Sequence, residues 1–96
     1  MDFQVRITEP ALTDLEEILD YSVANHPGSS AQFLASLLRH VEILRQFPYV
    51  GKLVSQRAGV RQLIHTPFFI YYAVYPSQRL VEVLHFWHAS RMPPEY

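Results

Sequence analysis

The chain has no cysteine, which removes both a disulfide framework and any thiolate-based zinc site. Glycine is scarce: three isolated residues, too few and too scattered for a Gly-rich phosphate-binding loop. A Gly-x-Ser-x-Gly nucleophile elbow is missing as well. No apolar run approaches the roughly 20 residues that a bilayer-spanning helix needs. The opening Met1-Asp2-Phe3-Gln4 lacks the basic and then apolar pattern of a secretory signal. The expectation is a cytoplasmic protein with no membrane partner and no cofactor. Lysine is nearly absent, with Lys52 alone, and the net charge of −1 argues against a general nucleic-acid binder.

What is present is ordinary globular material. At 96 residues, 49% hydrophobic and 14% aromatic, the chain is one domain (residues 1–96) with enough apolar side chains for a core. Its charge is unevenly placed. Residues 2–20 hold six acids (Asp2, Glu9, Asp14, Glu16, Glu17, Asp20) against Arg6 alone. Residues 21–96 hold seven bases (Arg39, Arg45, Lys52, Arg57, Arg61, Arg79, Arg91) against three acids (Glu42, Glu82, Glu95). Such a split either conceals a basic working face or simply marks two solvated faces of opposite sign.

Phe3, Val5 and Ile7 alternate with Gln4 and Arg6, the period of a half-buried strand. Thr8 followed by Pro10 predicts a helix start. Leu12, Leu15, Ile18, Leu19 and Ser22 or Val23 continue at helical spacing, with acids on the remaining face. His26-Pro27-Gly28 ends this helix, and Ser29 with Gln32 has the form of a capping box. A second stripe, Leu34, Leu37, Leu38, Val41 and Leu44, runs to Pro48. Two helices joined by so short a break predict an antiparallel hairpin, with Leu15 and Leu37 lining its core. Beyond Gly51 the period changes. Val60 to His65 predicts a strand, and the unbroken run Phe68 to Tyr75 predicts one in the middle of a sheet, because at an edge it would invite aggregation. Pro76-Ser77-Gln78 reads as a hairpin turn, and Arg79 to about Trp87 as the returning strand. The fold class is α+β, in the order β-α-α-β-β-β: a helical hairpin on one face of a small, mostly antiparallel sheet. The tail Pro93-Pro94-Glu95-Tyr96 is expected to be an extended end.

Five histidines (26, 40, 65, 85 and 88) are the obvious titratable candidates. The acids cluster away from them in sequence, so no metal site is expected. His85 and His88 lie an odd number of residues apart, which sends them to opposite faces of a strand unless it bulges between them. Arg61, set in a strand otherwise made for burial, either grips a phosphate or carboxylate through its planar fork or is a surface residue with no task. Arg91, just before Pro93-Pro94, stands where a partner can reach it. Tyr71, Tyr72 and Tyr75 are either core or, where one faces outward, able to stack a base. Arg61, His88 and Arg91 are the candidates for target contact, with Lys52 and Tyr72 as weaker ones.

Several segments in order carry a resemblance: Ala11-Leu12-x-Asp14-Leu15-x-x-Ile18-x-x-Tyr21, Ala31-Gln32-Phe33, Leu44-x-x-Phe47-Pro48-x-x-Gly51, Val60-Arg61-x-Leu63, Phe69-Ile70-x-Tyr72 and His88-x-x-Arg91-x-Pro93. Over roughly residues 3–93 the chain resembles the RelE/ParE superfamily of type II toxins, and within it the ParE, or plasmid-stabilisation, branch. The resemblance implies a toxin encoded beside an antitoxin whose extended C-terminal segment wraps it, commonly in a heterotetramer or larger complex. ParE-branch toxins poison DNA gyrase, whereas RelE-branch toxins cleave messenger RNA in the ribosomal A site. The nucleases crowd cations around a phosphorane-like transition state. Aligned with them, this chain has Phe69 and Ala89 at about the positions of two of their arginines. The expectation is therefore a gyrase-binding toxin rather than an enzyme, with a ribosome-dependent endoribonuclease as the alternative.

Overall fold

The computed structural model describes residues 2–91; the expected extended tail from Pro93 to Tyr96 lies outside them. The elements are β1 (Gln4–Ile7), α1 (Glu9–Asn25), α2 (Ser30–Glu42), β2 (Lys52–Leu53), β3 (Val60–His65), β4 (Phe68–Tyr75) and β5 (Leu80–His88), with short 3₁₀ turns at Ile43–Arg45 and Pro76–Gln78. The sheet order is β1-β5-β4-β3-β2. Only the β1–β5 pair is parallel, and the other neighbours are antiparallel. This is the expected α+β fold, with β4 at its centre, plus a two-residue strand that alternation cannot reveal because two residues make no period.

The helices pack on one face of the sheet. Ala11, Leu37, Val41 and Leu44 meet Leu63, Ile70, Tyr72, Val81, Val83 and Phe86 in a single buried cluster, with Phe3, Val5, Ile7, Leu15, Ile18 and Phe33 packed against it. Val60, Tyr71, Ala73 and Leu80 are buried outside that cluster. Alternation along the paired strands places them on the opposite face. Leu12, expected in the α1 stripe, is instead 46% exposed, and of the two residues offered for its far end Ser22 is partly buried while Val23 is 51% exposed. The stripe is wider than the contact, and Ala11 takes the buried centre.

The helix ends follow local chemistry in part. The Ala11 N–H donates to Thr8 Oγ1, so Thr8 caps α1 as expected. Ser29 occupies the N-cap of α2 but makes no side-chain cap bond, and the capping box does not form. The Ser29 hydroxyl donates to the His26 carbonyl instead, a local backbone acceptor of the kind that competes with capping for serine. The β4–β5 connection closes with Arg79 in the left-handed region, at φ 49°.

β5 is more than twice the length of its neighbour β1. The register runs Gln4↔Leu80 to Ile7↔Val83, which leaves the edge of β5 unpaired from Leu84 onward. At that point β5 bulges: Tyr72 pairs with Val83 and Tyr71 with His85, so Leu84 is the extra residue. Thr8, leaving β1, sends both its N–H (3.1 Å) and its hydroxyl (2.8 Å) to the Val83 carbonyl. One turn into α1, Asp14 Oδ2 accepts the Phe86 N–H at 3.0 Å. The first turns of α1 thus finish the edge that β1 does not reach.

Leu37 is wholly buried at the centre of this packing. Leu37→Ala should cost about 2–5 kcal/mol, while Leu12→Ala at the exposed flank should cost less than about 0.5 kcal/mol. Urea unfolding of the two variants checks the assignment of core and flank.

Candidate functional site

The five residues singled out in the sequence do not converge. Arg61 and Tyr72, directly paired across β3 and β4, both hold Gly51. The Arg61 guanidinium donates to the carbonyls of Gly51 (2.8 Å) and Tyr49 (3.3 Å) and lies 5.1 Å from the Tyr49 ring centre. The Gly51 N–H donates to the Tyr72 hydroxyl at 2.8 Å. Tyr72 has no exposed surface. As a candidate for target contact it is therefore corrected to a core residue: burial raises the pKa of its phenol, against the opposing effects of the Gly51 hydrogen bond and the nearby Arg61 charge. Lys52 is exposed on β2, opposite Gln62 and at the edge of the sheet.

His88 and Arg91 come together. They line a cleft of about 740 Å³ beneath the turn of the helical hairpin, with Ile18, Phe33, Phe68 and Phe86 inside and Asp14, Glu17 and Tyr21 along the α1 wall. That volume is in the range of small-ligand pockets. The His88 ring meets Phe68 edge-on at 5.3 Å. Its Nδ1 accepts the Ser90 N–H at 3.1 Å, and the Ser90 hydroxyl lies 2.7 Å from the same nitrogen. Because Nδ1 accepts the Ser90 N–H, the neutral ring carries its proton on Nε2. The Arg91 guanidinium stands 4.5 Å over the Trp87 ring, a cation–π contact that fixes it at the rim.

Two histidine pairs escaped the sequence. His85 Nδ1 lies 2.9 Å from Asp14 Oδ2, which corrects the expectation that acids stay away from the histidines. The partners are 71 residues apart, and the edge-capping role of Asp14 brings them together. His40 on α2 and His65 on β3 meet with their Nδ1 atoms 2.8 Å apart and their ring centres 5.0 Å apart. The ring separation is close to the nitrogen separation plus two ring radii, so the nitrogens face head-on in an N–H···N bond. Among the described residues no three His, Asp or Glu side chains gather to hold a metal ion. His65 and His88 both face the helices, His88 across from Phe68 and His65 beside it, while His85 shares its face with Trp87, whose ring it touches edge-on.

With this geometry in hand, the comparisons with known proteins are decisive about family. A model of the ParE toxin of type II toxin–antitoxin systems (parDE) matches residues 5–93. The chain belongs to the ParE toxin family. The fold agrees with solved relatives. The chromosomal ParDE toxin–antitoxin system of Pseudomonas aeruginosa is 22% identical with a TM-score of 0.80, covering 92% of this chain and 97% of that one. The RelBE2 toxin–antitoxin complex of Mycobacterium tuberculosis is 24% identical with a TM-score of 0.67, covering 92% and 99%. The isolated RelE toxin of Escherichia coli is 16% identical with a TM-score of 0.68, covering 94% and 87%. No curated protein matches the chain. The ParE-family helical hairpin and sheet are thus the frame on which the cleft and the Gly51 anchor are built.

Two expectations follow from the site. A Cβ at Gly51 would stand 2.7 Å from the Tyr72 hydroxyl and 2.8 Å from the Gln62 carbonyl, so Gly51→Ala should destabilise the ParE-family fold by about 1–3 kcal/mol, read from urea midpoints. The second concerns pH. Burial, and then the neighbouring His40 charge, hold His65 below its ordinary pKa of 6.5. At His65 the folded state therefore binds fewer protons than the unfolded chain, and the stability that His65 contributes is complete above about pH 6.5 and falls as the pH drops below it. His65→Phe should flatten the pH profile of the melting temperature on that acid side, and an unchanged slope would contradict the assignment.

Proposed function

We propose that this ParE-family toxin arrests growth by docking onto DNA gyrase, with no bond-breaking chemistry of its own, and that a cognate antitoxin neutralises it. The observation that carries this reading is the separation of Arg61 from His88. Arg61 is aligned with Tyr72 and His88 with Phe68, four residues apart along β4 and on its two opposite neighbours. At about 3.3 Å per residue and 4.8 Å per strand, their backbones stand roughly 16 Å apart. A cation and a proton-transfer group that act on one phosphate must both lie within hydrogen-bonding distance of it. Here Arg61 is directed to the Gly51 carbonyl, and the imidazole Nδ1 of His88 already accepts from Ser90.

What the arrangement offers instead is shaped surface: the cleft with His88 and Arg91 at its mouth, and the exposed Lys52 edge. Relatives solved as toxin–antitoxin complexes support a cognate antitoxin as the second partner, in an assembly such as a heterotetramer. The test is to incubate the purified toxin in excess with gyrase, ATP and relaxed plasmid. Loss of supercoiling and accumulation of a trapped cleavage complex are expected, with Arg91→Ala weakening both by about tenfold or more. Unimpaired supercoiling overturns the reading, as does messenger RNA cut in ribosomal complexes by the toxin but not by His88→Ala.

A further inference from the structure

Neither His40 nor His65 lines the cleft, yet ring contacts join the pair to its wall. Phe33 of α2 meets the His65 ring at 5.8 Å and the Phe68 ring at 5.7 Å. Phe68 in turn meets the His88 ring at 5.3 Å, and Phe33, Phe68 and His88 all line the cleft. The 2.8 Å contact between His40 Nδ1 and His65 Nδ1 is thus a direct polar tie between α2 and β3, placed next to the aromatic wall.

Such a tie tolerates one extra proton and not two. In the neutral pair one ring donates its Nδ1–H to the Nδ1 lone pair of the other. A first proton enters on Nε2 of the donating ring and leaves the bond charge-assisted. A second must take the accepting Nδ1, which removes the acceptor and sets two cationic N–H groups head to head. The surroundings do not offset that charge. Arg61, on the same side of β3, is itself a cation and is directed to the Gly51 carbonyl. The Tyr72 phenol on β4 is bonded to Gly51, and His88 on β5 stands behind Phe68. On α2, Arg39 is exposed and Glu42 is tied to Arg45. Lys52 of β2 pairs with Gln62, on the other face of the sheet from His65, and Asp14 of α1 is held by His85 and Phe86. Burial and the His40 charge hold His65 below its ordinary value of 6.5, so the second proton enters only in acid.

We propose that the His40–His65 contact is an acid-released latch: closed, it holds α2 on β3 and Phe33 against Phe68, and a second proton opens it and loosens that wall of the cleft. Leu37 and Val41, buried on the same helix, keep α2 on the sheet, so one element loosens while the domain stays folded. The latch does not depend on which target the toxin poisons.

The test follows amide exchange of the full chain by mass spectrometry at about pH 7.5 and about pH 5, corrected for the intrinsic pH dependence of exchange. Exchange in α2 should quicken about tenfold or more in acid, while β4 and β5 change less than about twofold. His40→Gln supplies an amide that donates to neutral His65 or accepts from its protonated form, so its α2 exchange should stay within about twofold. In the unaltered chain, nuclear magnetic resonance should show the pair titrating in two separate steps, with Phe33–Phe68 cross-relaxation lost at the second. That measurement stands whether or not the variant folds. Unchanged α2 exchange overturns the proposal, as does equal quickening in His40→Gln. So does a rise in β4 and β5 that matches α2, which would be general unfolding, or Phe33–Phe68 contacts that persist through the second step.

Discussion

A mismatch in strand length governs this molecule. β1 covers only the first part of β5, and an uncovered sheet edge leaves backbone donors and acceptors that must find other partners. The chain supplies them from the segment that immediately follows β1. Thr8 takes the Val83 carbonyl and Asp14 the Phe86 amide, while the Leu84 bulge re-aims the strand between them. These bonds place α1 over β5. The short turn after α1 then places α2 over β3 and β4, where Phe33 meets Phe68 and His40 meets His65. The cleft under the hairpin turn follows from where α1 is held.

A second anchor fixes the other end of the sheet. Gly51 gives both its backbone groups to side chains of the central strands, its N–H to Tyr72 and its carbonyl to Arg61. The loop that carries the exposed Phe47, Tyr49 and Val50 is thereby tied down without an extended strand pairing there. Arg61 and Tyr72 are committed to architecture, which leaves His88 and Arg91 at the cleft and Lys52 at the sheet edge as the surface-facing members of the original set.

Much of the fold was legible because its signals are local. Alternation marked Val5 and Ile7, the 3.6-residue period marked Leu37 and Val41, and the uninterrupted run Phe68 to Tyr75 marked the central strand. Thr8 announced its own cap. The two-residue β2 and the Leu84 bulge were not legible, since neither has a period to read. Leu12 misled for a related reason: periodicity shows that a face is apolar, not that something covers it. The candidate site was read less well than the fold. Arg61 was noticed for the right physical reason, a cation in a strand otherwise made for burial, and Tyr72 was left open between core and an outward base-stacking ring; what both bind is a backbone glycine that only the folded chain brings near. The Asp14–His85 and His40–His65 pairs join residues distant in sequence, and one sequence holds no record of such meetings.

Membership of the ParE toxin family, the distance between Arg61 and His88 and the stacking of Arg91 on Trp87 support the proposed account, in which the toxin works by occupying another machine. Mapping DNA and RNA ends in the same cells, minutes after induction without antitoxin, tests this most directly. The account predicts double-strand breaks with gyrase covalently attached at their 5′ ends, on a background of intact transcripts. Fresh transcript ends at ribosomal A-site codons, appearing before any DNA damage, would contradict it.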